Sequence, residues 1–314
     1  MTEGAKRMAC LAGINQSFAK AQHLVEELAG FSLNDESLRQ CCHQVAADAK
    51  KWMEAEAPAA ERFASSPGVP EIQIDAGKVN TDTGWRDVKI VVFARREAGE
   101  PALPEEWETR KLPIPTARRV IADIVEAETF GTRCKKEADA LGLTDSSSLS
   151  VLGDGAEWIW KLADREFPMA TQTLDVYHGA ERVADVAKGI FGAETPTAKL
   201  EKDCGIKELL REGYDGLVKW IGDVSGRIPV GGNGAAVGET LNYFAGQKAR
   251  LGYCERLRKG EPIGSGMVEG TVKQMLNRRF KLTGAKWKTE NVAPLVELVG
   301  LSEAGEWDQY WNRN

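Results

Sequence analysis

Three acidic residues far apart in the chain, Asp75, Asp154 and Glu269, are the residues whose types and settings point to chemistry. Asp75 lies where an apolar strand pattern meets Gly77 and Lys78, and Asp154 lies where another ends in Gly153-Asp154-Gly155-Ala156. A carboxylate at a strand end beside glycine can face the crevice where α/β sheets bind ligands, although an Asp there is also a common turn residue. Glu269 follows Gly264-Ser265-Gly266. With Ser265 as the helix N-cap, a capping-box acid belongs at Val268, so Glu269 misses that role by one residue. It sits instead at the edge of an apolar stripe of Val268, Val272, Met275 and Leu276, although Lys273, four residues on, also suits it for a plain surface pair. If the three carboxylates meet, they suit a hard cation, Mg²⁺ or Mn²⁺. Two such ions roughly 4 Å apart would activate a water or a 3′-hydroxyl and stabilise the leaving oxygen of a phosphodiester. Clustered carboxylates without metal should repel, and at least one should hold its proton more tightly than usual.

Other residues are expected to support that site. Asp175 and His178, three apart after a further strand, are assigned a supporting position behind the metal ligands, with a buried hydrogen-bonded histidine as the plainer alternative. Residues 270–288 contain no Asp or Glu but carry Lys273, Arg278, Arg279, Lys281, Lys286 and Lys288, a run suited to a phosphate backbone or to a solvated helix face. Trp287 could stack on a base between two phosphate contacts, and core packing also accounts for it.

These groups need a scaffold. Residues 1–65 read as a helical segment, with Phe18, Ala21, Leu24, Val25 and Leu28 on one face and Leu38, Cys41, Cys42 and Val45 on a second helix. The pair resembles either a helix-turn-helix, with Gln40, His43 and Gln44 toward bases, or an ordinary helical hairpin. Residues 55–70, rich in Ala, Ser and Pro, read as a linker. Strands are expected at 71–79 and 85–95, a weaker one at 107–112, a long helix at 116–141, and strands at 148–153 and 170–175, the last followed by a helix to Phe191. Residues 192–262 read as a helical insertion, with Leu209, Leu210, Leu217, Val218 and Trp220 toward the core and a break at Gly231-Gly232-Asn233-Gly234. Residues 263–314 supply the last helices. This order predicts an α/β fold of the RNase H-like kind, a mixed sheet with flanking helices whose core spans 66–191 and 263–314.

Composition narrows the classes. Hydrophobic residues at 42% and charged residues at 28% fit a globular chain. No apolar run approaches the ~20 residues of a membrane span, and the start of the chain lacks a basic region followed by an apolar one. Six scattered cysteines support neither a disulfide framework nor a structural zinc site. The net charge of −6 opposes a nucleic-acid partner unless the basic residues cluster, as they do after Glu269.

The ordered motifs resemble bacterial insertion-sequence transposases of the DDE type, in the Kra-type group related to mutator-like elements. The residues that carry the resemblance are Asp75 with Gly77 and Val79, then 84–89, Gly153-Asp154-Gly155-Ala156 with Trp158-Ile159-Trp160, and Asp175 with His178. Tyr243-Phe244, Ile263 to Glu269, Arg279 with Lys281, 284–287, and Trp307 with Trp311 follow in the family's order, so that the likeness spans about residues 15–314. Membership implies Asp75, Asp154 and Glu269 as the metal-binding triad and two Mg²⁺ or Mn²⁺ ions. It also implies double-stranded DNA, as element ends and target, and a homodimer or larger assembly on that DNA. Cytoplasmic, nucleoid-associated location would follow. Two departures are Ala76 where the family has Gly, and less chain ahead of the helical segment, which predicts an N-terminally shortened protein. The alternatives are a repurposed DNA-binding protein without turnover and a nuclease that cuts without joining.

Overall fold

The alternating and β-branched runs of the sequence become strands, and the chain between them becomes helix. The computed structural model describes residues 1–55, 57–227 and 234–313. Helices α1 (Glu3–Asn15), α2 (Phe18–Ala29), α3 (Asp35–Ala55) and α4 (Ala57–Ser65) precede strands β1 (Val69–Thr81), β2 (Gly84–Arg96) and β3 (Ala117–Asp123). Then come α5 (Ala127–Ala140), β4 (Ser150–Gly153), α6 (Glu157–Glu166), β5 (Thr171–Leu174) and α7 (Val176–Phe191). Helices α8 (Pro196–Ser225), α9 (Ala235–Gln247) and α10 (Tyr253–Arg258) lead to α11 (Gly266–Val272), which continues into a π-helical turn at Lys273–Asn277. Helices α12 (Thr289–Glu303) and α13 (Trp307–Trp311) follow.

The described strands form one sheet in the order β3-β2-β1-β4-β5. β1 pairs antiparallel with β2, as does β2 with β3, whereas β4 runs parallel to both β1 and β5. The fold is therefore α/β, with a mixed sheet covered by helices on both faces. Ile72, Ile74, Val91, Phe93 and Val151 bury under a cluster that includes residues of α5 to α8. Val79, Val88, Ile90, Val92 and Val120 bury on the other face, with α1 to α3 and α12. Burial on both faces explains why β2 reads as a nearly continuous apolar run.

Several expectations change. The third strand is not 107–112, where the chain turns and then runs without regular structure just after a single helical turn at Pro104–Glu106, but Ala117–Asp123, which the helical period absorbs into a helix starting at 116. Val120, Ile121 and their neighbours satisfy a helical stripe equally well. Pairing with β2 and burial of nearly every β3 residue decide for strand. The supposed linker holds α4, whose Phe63 is fully buried. Val218 is 41% exposed, unlike Leu209, Leu210, Leu217 and Trp220, which are buried. The expected break at 231–233 lies outside the described residues, and Gly234 caps α9.

The N-terminal helices share a core with the sheet, which explains how residues 1–65 fold onto it. α3 buries Leu38, Cys42, Ala46 and Ala49, and Gln40 and Gln44 remain exposed on its outer face. Polar contacts tie the far edge of the sheet together. Buried Arg119 on β3 donates Nε to Glu306 at 3.0 Å and pairs with Glu137 on α5 at 3.1 Å, and Arg62 on α4 also pairs with Glu306. No described helix is long and apolar enough to cross a membrane.

Candidate acidic active site

Strand alternation decides which face of the sheet carries the acids. Ile72 and Ile74 point into the core shared with α5 to α8, so Gln73, Asp75, Gly77 and Val79 point to the opposite face. Helix α11 lies there. Its first turn is docked by Gln73, whose Oε1 accepts the Val268 amide at 3.0 Å in the interior. Gly77 admits the helix closely, since a Cβ there would meet Leu276 Cδ1 at 2.4 Å.

Parallel pairing then aligns the acids. Ile74, Gly153 and Leu174 are register neighbours on β1, β4 and β5, and the next residues in the chain are Asp75, Asp154 and Asp175. Three aspartates thus follow one register row across adjacent strands. Each is held locally. Asp75 Oδ1 accepts the Ala76 amide at 2.6 Å, and Asp154 Oδ1 accepts the Ala156 amide at 2.9 Å. The Asp154 carbonyl also accepts the Tyr243 hydroxyl of α9 at 3.2 Å. Gly155 permits that approach, because it has φ 96° and a Cβ would lie 2.2 Å from the Tyr243 oxygen. Asp175 caps α7, with Oδ1 accepting the amides of Tyr177 at 2.7 Å and His178 at 3.0 Å.

Glu269 lies on the face of α11 toward this row. Ser265 is the N-cap residue, as expected, but its hydroxyl does not cap the helix. It faces Asp175 Oδ2 at 2.7 Å and Glu269 Oε1 at 3.3 Å, and the Ser265 amide also donates to Asp175. His178 Nδ1 is 3.3 Å from Asp175 Oδ1. Asp175, His178 and Glu269 each offer one ligand atom within 4.8 Å of the others. Asp175 and His178 therefore stand in direct reach of Glu269. Among the described residues no ion pair joins Glu269 to Lys273.

Electrostatics links this set to the other two acids. Burial raises the Asp75 carboxyl to about 6, and the charges of Asp154 and Glu269 push the same way against the Ala76 amide and His178. The carboxyl expected to resist ionisation is thus Asp75, and both partner acids act on it. The hydrogen bond to Asp175 raises His178 to about 9 despite its burial, so the ring is an imidazolium at neutral pH. Burial pushes Asp175 up, but His178 and Ser265 more than reverse this, and it stays ionised below the usual range.

A pH-dependent stability follows. A carboxyl raised from 3.8 to about 6 contributes stability that is fully present below about pH 3.8 and lost as pH rises through 6. In metal-free protein Asp75→Asn should therefore stabilise the fold at pH 7.5, by on the order of 2 kcal/mol after allowance for partial exposure. The gain should vanish near pH 4. Thermal unfolding of both proteins at the two pH values checks this, and a variant that melts below wild type at pH 7.5 contradicts it.

The basic run divides. Lys273, Arg278, Lys281, Lys286 and Lys288 are exposed. Arg279 is 2% exposed, donates Nε to the Gly13 carbonyl at 2.8 Å, and lies over the rings of Phe18 and Trp287, so it ties the N-terminal helices to the core and does not face a phosphate. Burial lowers it to about 10. Trp287 packs on Phe280 at 4.8 Å and bonds by its backbone to Asn80 and Asp82 at the β1–β2 hairpin, as core packing predicts. Sequence reasoning missed Ser265 as a bridge, Gln73 as a docking group and Tyr243 as a brace. A polar Gln inside an alternating apolar strand was the one visible signal among them.

Neither the protein-family models nor the curated proteins contain a match to this chain.

Proposed function

We propose that this chain is a DDE transposase, an enzyme that cuts and joins DNA on an RNase H-like sheet. The observation that carries the reading is the placement of Asp75 and Asp154 at successive register positions of adjoining strands, with Glu269 held over the same face by α11. The strand order, with an antiparallel meander first and parallel strands after it, supports the RNase H-like assignment, as does the helical insertion before α11.

Mg²⁺ or Mn²⁺ fits this donor set. The ligands are carboxylate oxygens, and Asp75 resists ionisation among like charges that a cation would neutralise. Asp75, Asp154 and Glu269 would hold the ions. When bound, two such ions supply activation of a water or 3′-hydroxyl and stabilisation of the leaving oxygen. The chain's own part is positioning. β1 and the β4 end fix the two aspartates, and Tyr243 braces the Asp154 turn. The Ser265 hydroxyl, between the carboxylates of Asp175 and Glu269, has one proton to share between them and so couples Glu269 to Asp175, and the His178 imidazolium offsets part of the negative charge.

DNA is the partner that the surface suits. Lys273 lies one helical turn beyond Glu269, and Lys286 and Lys288 flank the residue bonded to the hairpin end. Six residue steps along β1 carry the chain from Asp75 to Thr81, about 20 Å, or roughly six base pairs of duplex. The exposed lysines and Arg278 would follow the phosphates over that span. A dimer or larger assembly on paired DNA ends completes the proposal.

Ser265→Ala should weaken Mn²⁺ binding roughly 10- to 100-fold, the usual effect of removing a group that orients a metal ligand, and Ser265→Thr should restore most of it. Titration calorimetry reads this directly, and wild-type affinity in Ser265→Ala would remove the hydroxyl from the account. The function itself is tested with purified protein, Mn²⁺ and duplexes taken from the DNA on either side of the gene. Strand cleavage followed by joining to a second duplex is expected. Cleavage without joining would replace the transposase with a nuclease, and binding without cleavage would replace the enzyme with a DNA-binding protein.

A further inference from the structure

Beside the acids, a cavity of about 370 Å³ opens between the start of α7, the start of α11 and the loop from β2 to β3. Its size falls among pockets that take small ligands, roughly 300–1,000 Å³. One wall is a pair of aromatic rings, Trp107 and Tyr177, with centroids 5.2 Å apart and planes tilted by 51°. Tyr177 is 50% exposed, lies in the first turn of the helix that Asp175 caps, and feels the charges of both Asp175 and Glu269. The aromatic wall and the acids are therefore immediate neighbours. Neither packing nor the acidic site accounts for so open a ring there.

The polar groups of the cavity select its occupant. Arg96 is already engaged, donating to Glu71 at 2.9 Å and to the Pro113 carbonyl at 2.5 Å. Arg110 donates Nη2 to the Glu261 carbonyl, but its Nη1 is buried without a hydrogen-bond partner. Arg110 nevertheless lines the cavity, and its guanidinium supplies a donor there. Exposed Glu108 lines the same cavity and offers an acceptor. One guanidinium and one carboxylate leave the cavity close to neutral. A phosphate would meet Glu108 and the neighbouring acids with only Arg110 in its favour. A nucleobase is uncharged and flat, and carries acceptors and donors along one edge. It matches an aromatic wall flanked by one donor and one acceptor.

We infer that this cavity takes a nucleobase turned out of the DNA beside the phosphodiester that the acids attack, stacked against Trp107 and Tyr177 and contacted at its edge by Arg110 and Glu108. The inference rests on the DNA-cutting reading above. Unstacking a base is unfavourable in free duplex, and stacking on the two rings offsets it. The opened backbone next to the extruded base can then enter the acidic site, which a continuous stack would hold away. Bases with a strong acceptor edge toward Arg110, guanine above all, should be preferred.

The test uses the full chain in Ca²⁺, without Mg²⁺ or Mn²⁺, and two single strands of about 12 nucleotides, within the usual site size for such binding. One carries 2-aminopurine at its centre and the other an abasic residue at the same place. Wild type should bind the base-bearing strand roughly 5- to 100-fold more tightly and quench its fluorescence. Trp107→Ala and Tyr177→Ala should each lose that preference and the quenching while binding the abasic strand as wild type does, which also shows that they fold. Trp107→Phe, which keeps a ring face, should retain most of the preference. Equal binding of both strands by wild type would overturn the base site and leave the DNA reading standing. An undiminished preference in both alanine variants would overturn it too. Binding of neither strand by wild type would overturn the DNA reading itself, and the base site with it.

Discussion

Asp154→Asn and Glu269→Gln, made one at a time, should each reduce metal-dependent strand cleavage by roughly 1,000-fold or more while leaving the fold in place. Both substitutions keep size and one acceptor oxygen, and replace the other oxygen and the charge with an amide NH2. Asn at 154 can still accept the Ala156 amide that closes the turn at 2.9 Å, and Gln at 269 can still accept from Ser265. What disappears is a negative oxygen for a divalent cation, and with it the neutralisation of charge on a phosphodiester. DNA binding should persist, because the exposed lysines after α11 are untouched. Quantitative cleavage with a labelled duplex in Mn²⁺, with unfolding curves for each variant, separates lost chemistry from lost fold. A variant that folds normally and cuts as fast as wild type removes its residue from the site.

Arg119→Ala should lower stability by about 3–5 kcal/mol, the usual effect of breaking a buried ion pair from one side. Arg119 is fully buried on β3 and bridges Glu137 on α5 and Glu306 just ahead of α13, and Glu306 is itself 1% exposed. Without the guanidinium, Glu306 loses its partner on β3, and Arg62, which also pairs with it, is 26% exposed. A fall in Tm of roughly 5–8 °C follows for a chain of this size. Arg119→Met combined with Glu306→Gln should recover part of the loss, because the buried carboxylate charge is then gone as well. Differential scanning calorimetry checks both variants, and a single variant within about 1 kcal/mol of wild type would show the network to be dispensable.

The positions most legible in the sequence are those where a polar residue interrupts a regular period. Asp75 breaks the alternation of β1 and Asp154 ends the apolar run of β4, and the structure sets them at neighbouring register positions. Glu269 was placed at the edge of an apolar stripe, and Val268, Met275 and Leu276 are indeed buried beside it while Glu269 is half-buried. The misses have a different cause. β3 was read as helix because Val120 and Ile121 satisfy either period, and only pairing with β2 distinguishes them. Arg279 was counted with the exposed bases because linear charge says nothing about packing, and the rings of Phe18 and Trp287 that enclose it come from distant parts of the chain. Ser265 was visible only as an N-cap. Its bridge from Asp175 to Glu269 exists because α7 and α11 begin side by side, which no local pattern encodes.

The account stands most directly on where a divalent cation binds. Crystals soaked in Mn²⁺ and measured for its anomalous scattering should show density bounded by the carboxylates of Asp75, Asp154 and Glu269. The same soak of Asp75→Asn crystals should weaken or abolish that density. An ion held by Asp175, His178 and Glu269 alone, with Asp75 and Asp154 unligated, or no density on this face of the sheet, would contradict the shared acidic centre.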